Sequence, residues 1–173
     1  MQLYLIRHPP PDVAAGICYG ATDLALAADP QASAAAIHAQ LPASLPLFSS
    51  PLRRCLHLAQ RLPMQPAIID PRLAEMNFGA WEMRAWTDIG PAALDAWAAD
   101  PLHYTPPGGE SVSGLRQRVL HFLAGLASQQ HDAAALVTHA GVMKVISGHA
   151  QNLPPAEWMQ LRFAYGSVVQ VTL

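Results

Sequence analysis

Unbroken apolar runs alternate along this chain with stretches of helical period. Leu3 to Ile6 and Ala134 to Val137 carry no polar residue at alternate positions, the pattern of central parallel strands covered on both faces. Leu45 to Phe48 and Ala67 to Ile69 predict two further strands, and the β-branched run Ser167 to Leu173 predicts a closing one. Between them, Ala27 to Leu41 is an alanine-rich helical stretch, and Leu52 to Leu62 has apolar residues at 52, 55, 58, 59 and 62. Ser111 to Ser128 repeats them at 112, 115, 119, 122, 123 and 126, and Val142 to His149 follows the strand at 134. Strands alternating with helices predict an α/β fold: a three-layer α/β/α sandwich with a mostly parallel central sheet.

Prolines and glycines punctuate this plan. Pro9, Pro10 and Pro11 end the first strand in a stiff loop, and Pro101, Pro106, Pro107, Gly108 and Gly109 mark a loop before the helix at 111. Met76 to Tyr104 holds three of the four tryptophans and fits no simple crossover. Residues 76–107 are therefore expected as a partly helical excursion over the active-site end of a single domain spanning 1–173.

Composition narrows the function. The chain has 173 residues, 51% of them hydrophobic, and a formal charge of −2. That balance argues against a nucleic-acid binder or a polybasic membrane-surface protein, but leaves room for a small basic pocket. Cys18 and Cys55 form neither a disulfide framework nor a zinc ribbon. No secretory leader or membrane-spanning segment is read from the sequence, so a cytoplasmic location is expected. Nothing in the sequence specifies an oligomeric state.

The chemistry collects where the apolar runs stop. In open parallel sheets, ligands bind beyond the carboxyl ends of the strands. Arg7 and His8 follow the first run, Ser49-Ser50-Pro51-Leu52-Arg53-Arg54 follows the second, and Thr138-His139-Ala140-Gly141 follows the run at 134. Ser50 and Pro51 read as the N-cap and first position of a helix. Arg53 and Arg54 then lie in the first turn, where a cation is unfavourable by roughly 0.3–1 kcal/mol unless an anion completes the site. Arg7 beside His8 disfavours a divalent metal, and neither histidine has a partner at metal-ligand spacing, so an oxyanion pocket is expected, with no metal and no cofactor. Guanidinium forks match phosphoryl oxygens, and a neutral imidazole can attack phosphorus. The leaving oxygen needs a proton, for which Glu75, Glu82 and Glu110 are all candidates on spacing alone.

These residues resemble the signatures of the histidine phosphatase (phosphoglycerate mutase-like) superfamily. Leu5-Ile6-Arg7-His8 is similar to its Arg-His motif, and Ser50-Pro51-Leu52-Arg53-Arg54 to its Ser-x-Leu-x-Arg element. Leu73 to Glu82 resembles the proton-donor segment, Gly109-Glu110-Ser111 the Gly-Glu-Ser turn, and Val137 to Gly141 the second-histidine motif. All five stand in the family's order and span nearly the whole chain. The resemblance implies a phosphohistidine on His8, phosphoryl oxygens held by Arg7, Arg54 and His139, and protonation of the leaving oxygen by Glu75. Glu110, Ser111, Thr138 and Gly141 would form a supporting shell. The chain departs from the pattern at Pro9, where the family has glycine, and at Ala14, where it often has asparagine.

Gly16 to Leu24 looks like the loop of short bacterial α-ribazole phosphatases, which implies α-ribazole 5′-phosphate as the substrate, in cobalamin nucleotide-loop synthesis. The alternatives are a broad sugar-phosphate or nucleotide phosphatase, a phosphohistidine-protein phosphatase, and a phosphate-binding module without turnover. Trp81 and Trp86 are read either as stacking on an aromatic substrate or as closing a core. His38, His57, His121 and His131 are read as surface or packing residues, and His103 and Tyr104 as candidates for the substrate mouth.

Overall fold

A computed structural model describes all residues, 1–173. Its strands are β1 (Gln2–Arg7), β2 (Leu47–Ser49), β3 (Ile68–Ile69), β4 (Ala133–Thr138) and β5 (Val168–Thr172). The helices are α1 (Gln31–His38), α2 (Arg53–Ala59), α3 (Trp86–Ile89), α4 (Pro91–Ala99), α5 (Val112–Ala127), α6 (Ala140–Ala150) and α7 (Pro155–Trp158), with 3-10 turns at Pro71–Leu73 and Gly79–Trp81. The sheet runs β3-β2-β4-β1-β5, parallel except for β5, which pairs antiparallel with β1 at the edge. This is the mixed α/β, mostly parallel architecture expected of a phosphoglycerate mutase-like fold.

Side-chain alternation divides the core into two layers. Leu3, Leu5, Phe48, Ala134, Leu136 and Val171 face α5 and α6, joining Leu115, Val119, Phe122, Val142 and Val145. Tyr4, Ile6, Leu47, Ala135 and Val137 face the other way, onto Ala34 and Ile37 of α1 and Cys55, Leu58 and Ala59 of α2. Both faces are covered, which is why β1 and β4 carry apolar residues at every position.

Two local expectations shift. The helix expected from Ala27 begins only at Gln31, because residues 25–27 are drawn to the proline loop: Asp12 N–H donates to Ala25 O and Ala27 N–H to Pro10 O. The helix expected to be capped by Ser50 with Pro51 at its first position has extended Leu52 as its N-cap instead. The Ser50 hydroxyl lies 2.8 Å from His139 Nε2 while still accepting from Leu52 N–H at 3.3 Å, and Asp23 takes the next free donor by accepting from Arg53 N–H at 2.7 Å. In the excursion, expected as partly helical, Glu82 ends the Gly79–Trp81 turn and α3 begins four residues later. Trp81 is buried with Cys18 and Ile89 in a third, small cluster packed by Trp86, Trp97 and Tyr104. Backbone bonds tie this segment to the loop after β1: Met83 N–H to Cys18 O at 2.7 Å and Cys18 N–H to Arg84 O at 2.8 Å.

Gly148 of α6 lets the Trp158 indole lie against the helix. A Cβ there would stand 2.1 Å from Trp158 Cδ1. Glycine to alanine inside a helix ordinarily stabilises by about 1 kcal/mol, but overpacking a core costs about 1–3 kcal/mol. Gly148→Ala is therefore expected to lose up to about 2 kcal/mol in urea unfolding; a gain in stability would contradict this packing.

Candidate active site

The parallel register between β1 and β4 pairs Arg7 with Thr138, so the next residues, His8 and His139, emerge side by side with ring centroids 5.1 Å apart. Their parity follows Ile6 and Val137, toward the α2 face. Arg54, in the first turn of α2, rises from that layer to meet them and is fully buried. Thr138 has the opposite parity: its hydroxyl donates to Leu73 O at 2.8 Å, on the α5 side, so it serves the backbone.

His8 is 2% exposed, with Nδ1 2.6 Å from Pro9 O and Nε2 accepting from Arg54 Nε at 3.3 Å. The two contacts agree on one tautomer: only a protonated Nδ1 can donate to a carbonyl, and only a bare Nε2 can accept from a guanidinium. Burial, opposed in part by the Pro9 bond and reinforced by Arg54 and Arg7, lowers the His8 pKa from 6.5 to about 3. Burial, with Arg54 and His8, likewise holds His139 well below the ordinary histidine range. Both imidazoles are thus neutral near pH 7.

Arg54 makes no salt bridge. Its Nη1 donates to Thr22 O at 2.7 Å and its Nη2 to Gly20 O at 2.5 Å. Arg7 donates to Phe163 O at 2.6 Å, its guanidinium lies 3.8 Å from the Tyr165 ring centroid, and its Nε is buried without an acceptor. Tyr165 in turn shares a 2.5 Å hydrogen bond with Tyr19. Arg53 points away and pairs with Asp23 at the surface.

The three candidate carboxylates separate cleanly. Glu75 Oε2 accepts from Gly141 N–H at 3.0 Å, two residues after His139, so Glu75 stands at the rim of the histidine pair. A Cβ at Gly141 would lie 2.2 Å from Glu75 Oε1, so any larger residue there would displace the carboxylate. Glu110 pairs with Arg118, which also donates to the carbonyls of Arg72, Ala74 and Glu75, so Glu110 fixes the chain that carries Glu75. Ser111 caps α5 by accepting from Gly114 N–H at 3.1 Å. Glu82 accepts from the N–H groups of Gly20, Ala21, Thr22 and Phe78 and from the Thr22 hydroxyl. Burial raises its pKa, but those bonds outweigh it and hold the carboxyl below its usual range. Glu82 thereby fixes the loop whose carbonyls hold Arg54.

Asp23 and Arg118 are supports of the site that motif reading passes over, and Glu82, which it offers only as a candidate acid, is a third. Asp23 and Glu82 each act on a segment at least 30 residues away, where no spacing rule reaches. Of the mouth candidates, His103 pairs with Asp100 at the surface and Tyr104 stacks on Trp81. No three His, Cys, Asp or Glu side chains converge with metal-ligand geometry.

Two outcomes are expected. Glu82→Ala, which removes a common acceptor from five donors, should cost about 2–3 kcal/mol in urea unfolding; a change within 0.5 kcal/mol, about the spread of a neutral surface substitution, would contradict the loop's dependence on it. The second concerns pH. His8 and His139 bind fewer protons folded than unfolded, so stability is greatest above pH about 6.5 and falls as pH drops below it, for His8 down to its folded pKa of about 3. His8→Asn should flatten the decline in stability between pH 6 and 4 by about 1.4 kcal/mol per pH unit; an unchanged slope would show that His8 titrates normally.

Comparison with known proteins agrees with this geometry. Residues 3–173 match the family described as the histidine phosphatase superfamily (branch 1). The chain is 33% identical over 130 residues to the adenosylcobalamin/alpha-ribazole phosphatase of Escherichia coli (strain K12), covering 69% of this chain and 63% of that protein. It is 32% identical over 174 residues to the glucosyl-3-phosphoglycerate phosphatase of Mycolicibacterium vanbaalenii, covering 91% of this chain and 77% of that one. The crystal structure of the alpha-ribazole phosphatase from Shigella flexneri superposes with a TM-score of 0.86 at 31% identity, covering 100% of this chain and 91% of that one. The chain belongs to the histidine phosphatase superfamily and, with it, to the phosphatases.

Proposed function

We propose that this protein hydrolyses a small phosphomonoester through a phosphohistidine on His8, without a metal, and that α-ribazole 5′-phosphate is its substrate. The observation that carries the mechanism is the fixed tautomer of His8, with Nδ1 turned to Pro9 O and Nε2 toward Arg54. Proline at position 9 removes a backbone donor but keeps the carbonyl that orients the ring, so the departure from glycine leaves this contact in place. The substrate rests on the names of two relatives and on the loop at Gly16 to Leu24.

In this reading Nε2 of His8 attacks phosphorus, forming the N–P bond as the P–O bond to the alcohol breaks. Arg7, Arg54 and His139 hold the phosphoryl oxygens, exchanging part of their present backbone partners for them. Glu75 gives its proton to the leaving oxygen, then takes one from the water that hydrolyses the phosphohistidine, which restores neutral His8. Glu110, through Arg118, and Gly141 keep Glu75 in place; Ser111 and Thr138 support the helix and chain around it.

Rapid quench into alkali after mixing with labelled substrate tests the covalent step. Wild type should yield acid-labile phosphohistidine and His8→Ala none; full activity in His8→Ala would overturn the mechanism. Glu75→Gln should lower kcat/KM, which reports only the phosphorylation of His8, about 10²–10⁴-fold on an alkyl phosphate, and far less on p-nitrophenyl phosphate, whose leaving group needs no proton; equal losses in kcat/KM on both would remove Glu75 from the acid role. On a substrate panel, α-ribazole 5′-phosphate should lead sugar phosphates and nucleotides in kcat/KM. Rates within a few-fold across the panel would argue for a broad phosphatase.

A further inference from the structure

His8 is 2% exposed, and Arg54 and His139 are fully buried, so a phosphoryl group reaches His8 Nε2 only after part of the surrounding structure moves. Two flanks of the pocket are pinned. Glu82 holds the loop at Gly20 to Thr22 by its N–H groups, and Arg118 holds the chain carrying Glu75 by three carbonyls. A third flank is covered by two side chains. The Tyr165 ring lies 3.8 Å from the Arg7 guanidinium and 5.7 Å from the His8 ring, and the Tyr19 ring lies 5.5 Å from the Arg54 guanidinium. Their hydroxyls meet at 2.5 Å, so the pair bridges the two arginines. No other hydrogen bond joins the loop of residues 9–24 to residues 159–167.

The backbone on both sides of this pair is held. Gly166 N–H donates to Arg7 O at 3.1 Å, and Cys18 is bonded at both its N–H and its carbonyl to the excursion. Opening is therefore a side-chain rotation, open to Tyr165 at 41% exposure. Space for the displaced ring is at hand. A cavity of about 400 Å³ has Tyr19 and Tyr165 as one wall and Pro10, Pro11, Ala14 and Ile17 among the others. Arg7, His8 and Arg54 do not border it, so the tyrosines separate it from the cationic pocket. The short side chain of Ala14 leaves this space free. Rotation costs the hydroxyl bond and the contact with Arg7. An arriving phosphoryl group offsets that cost through charge-assisted bonds to Arg7, whose Nε is buried without an acceptor.

We infer that Tyr19 and Tyr165 form a gate over the phosphoryl pocket, closed as a hydroxyl-linked pair and opened when a ring turns into the cavity beside Ala14. The inference rests on the oxyanion reading of the pocket around Arg7 and Arg54, and adds a conformational step that controls access to His8.

Tyr19→Phe and Tyr165→Phe keep both rings and remove the shared bond. Each should tighten the binding of inorganic phosphate, measured by calorimetry, about 2–10-fold, the worth of one hydrogen bond, because apparent affinity scales with the open fraction. The double variant should gain no more than either single one, since both break the same bond. Ala14→Trp, which fills the cavity, should act in the opposite direction and weaken phosphate binding. Acylation of His8 by diethyl pyrocarbonate, read by mass spectrometry against the exposed His57 and His121, follows the gate without phosphate. It should be faster in both Phe variants and slower in Ala14→Trp, with His57 and His121 unchanged. Phosphate binding that is weaker in the Phe variants would make the hydroxyls donors to the phosphoryl oxygens and overturn the gate. So would unchanged phosphate binding in those variants, or His8 acylation unmoved in them; no slowing in Ala14→Trp would overturn the cavity as the open position. A wild type that binds no phosphate, but whose His8 acylation follows the variants as predicted, sinks the oxyanion reading and leaves the gate standing. If phosphohistidine forms and neither readout moves, the gate alone fails.

Discussion

A guanidinium buried without a carboxylate is the constraint around which this molecule is arranged. Arg54 is fully buried and forms no salt bridge, a placement costly unless every donor finds a partner. Its partners are two loop carbonyls, from Gly20 and Thr22, and the lone pair of His8. Carbonyls satisfy the donors without cancelling the charge. The pocket keeps its positive field for an oxyanion, and that field adds to burial, the larger effect, in keeping His8 and His139 neutral. Burial makes the nucleophile neutral, and the buried cation both reinforces that and, on this account, stabilises a transferring phosphoryl group.

The rest of the site follows from holding that arrangement still. Gly20 and Thr22 can serve Arg54 only if their loop is fixed, and Glu82 fixes it from the excursion by collecting the loop's N–H groups. Asp23, at the end of the same loop, completes the N-terminus of the helix that carries Arg54. Loop, excursion and helix are thus coupled through two carboxylates that lie outside the proposed chemical step. The Glu110–Arg118 pair plays the matching part on the opposite side by gripping the carbonyls of residues 72, 74 and 75.

Much of this was legible in the sequence for physical reasons. The apolar runs at 3–6 and 134–137 read as doubly covered strands because no polar alternation survives on either face, and polar residues crowding immediately after them had to share one rim. Helix α5 was legible to within a residue at each end, since its apolar spacing is strict and Ser111 is an effective cap. The start of α2 was not, because Ser50 and Pro51 have the local chemistry of a helix start while a tertiary partner, His139, shares the serine hydroxyl. Glu75, Glu82 and Glu110 were likewise inseparable by spacing, because what distinguishes them is which donors from distant segments reach each one. The two readings of the tryptophans also divide by position: Trp81 closes a core, and Trp86 borders a cavity.

The central claim is that His8 is held as a neutral imidazole in a single tautomer, with Nε2 bare. Nitrogen-15 NMR of imidazole-labelled protein reads this directly. The account predicts that, from pH 7 down to 5, the His8 resonances keep a protonated Nδ1 and an unprotonated Nε2, with titration deferred to about pH 3. Two averaging tautomers, or an imidazolium forming near pH 6.5, would contradict it.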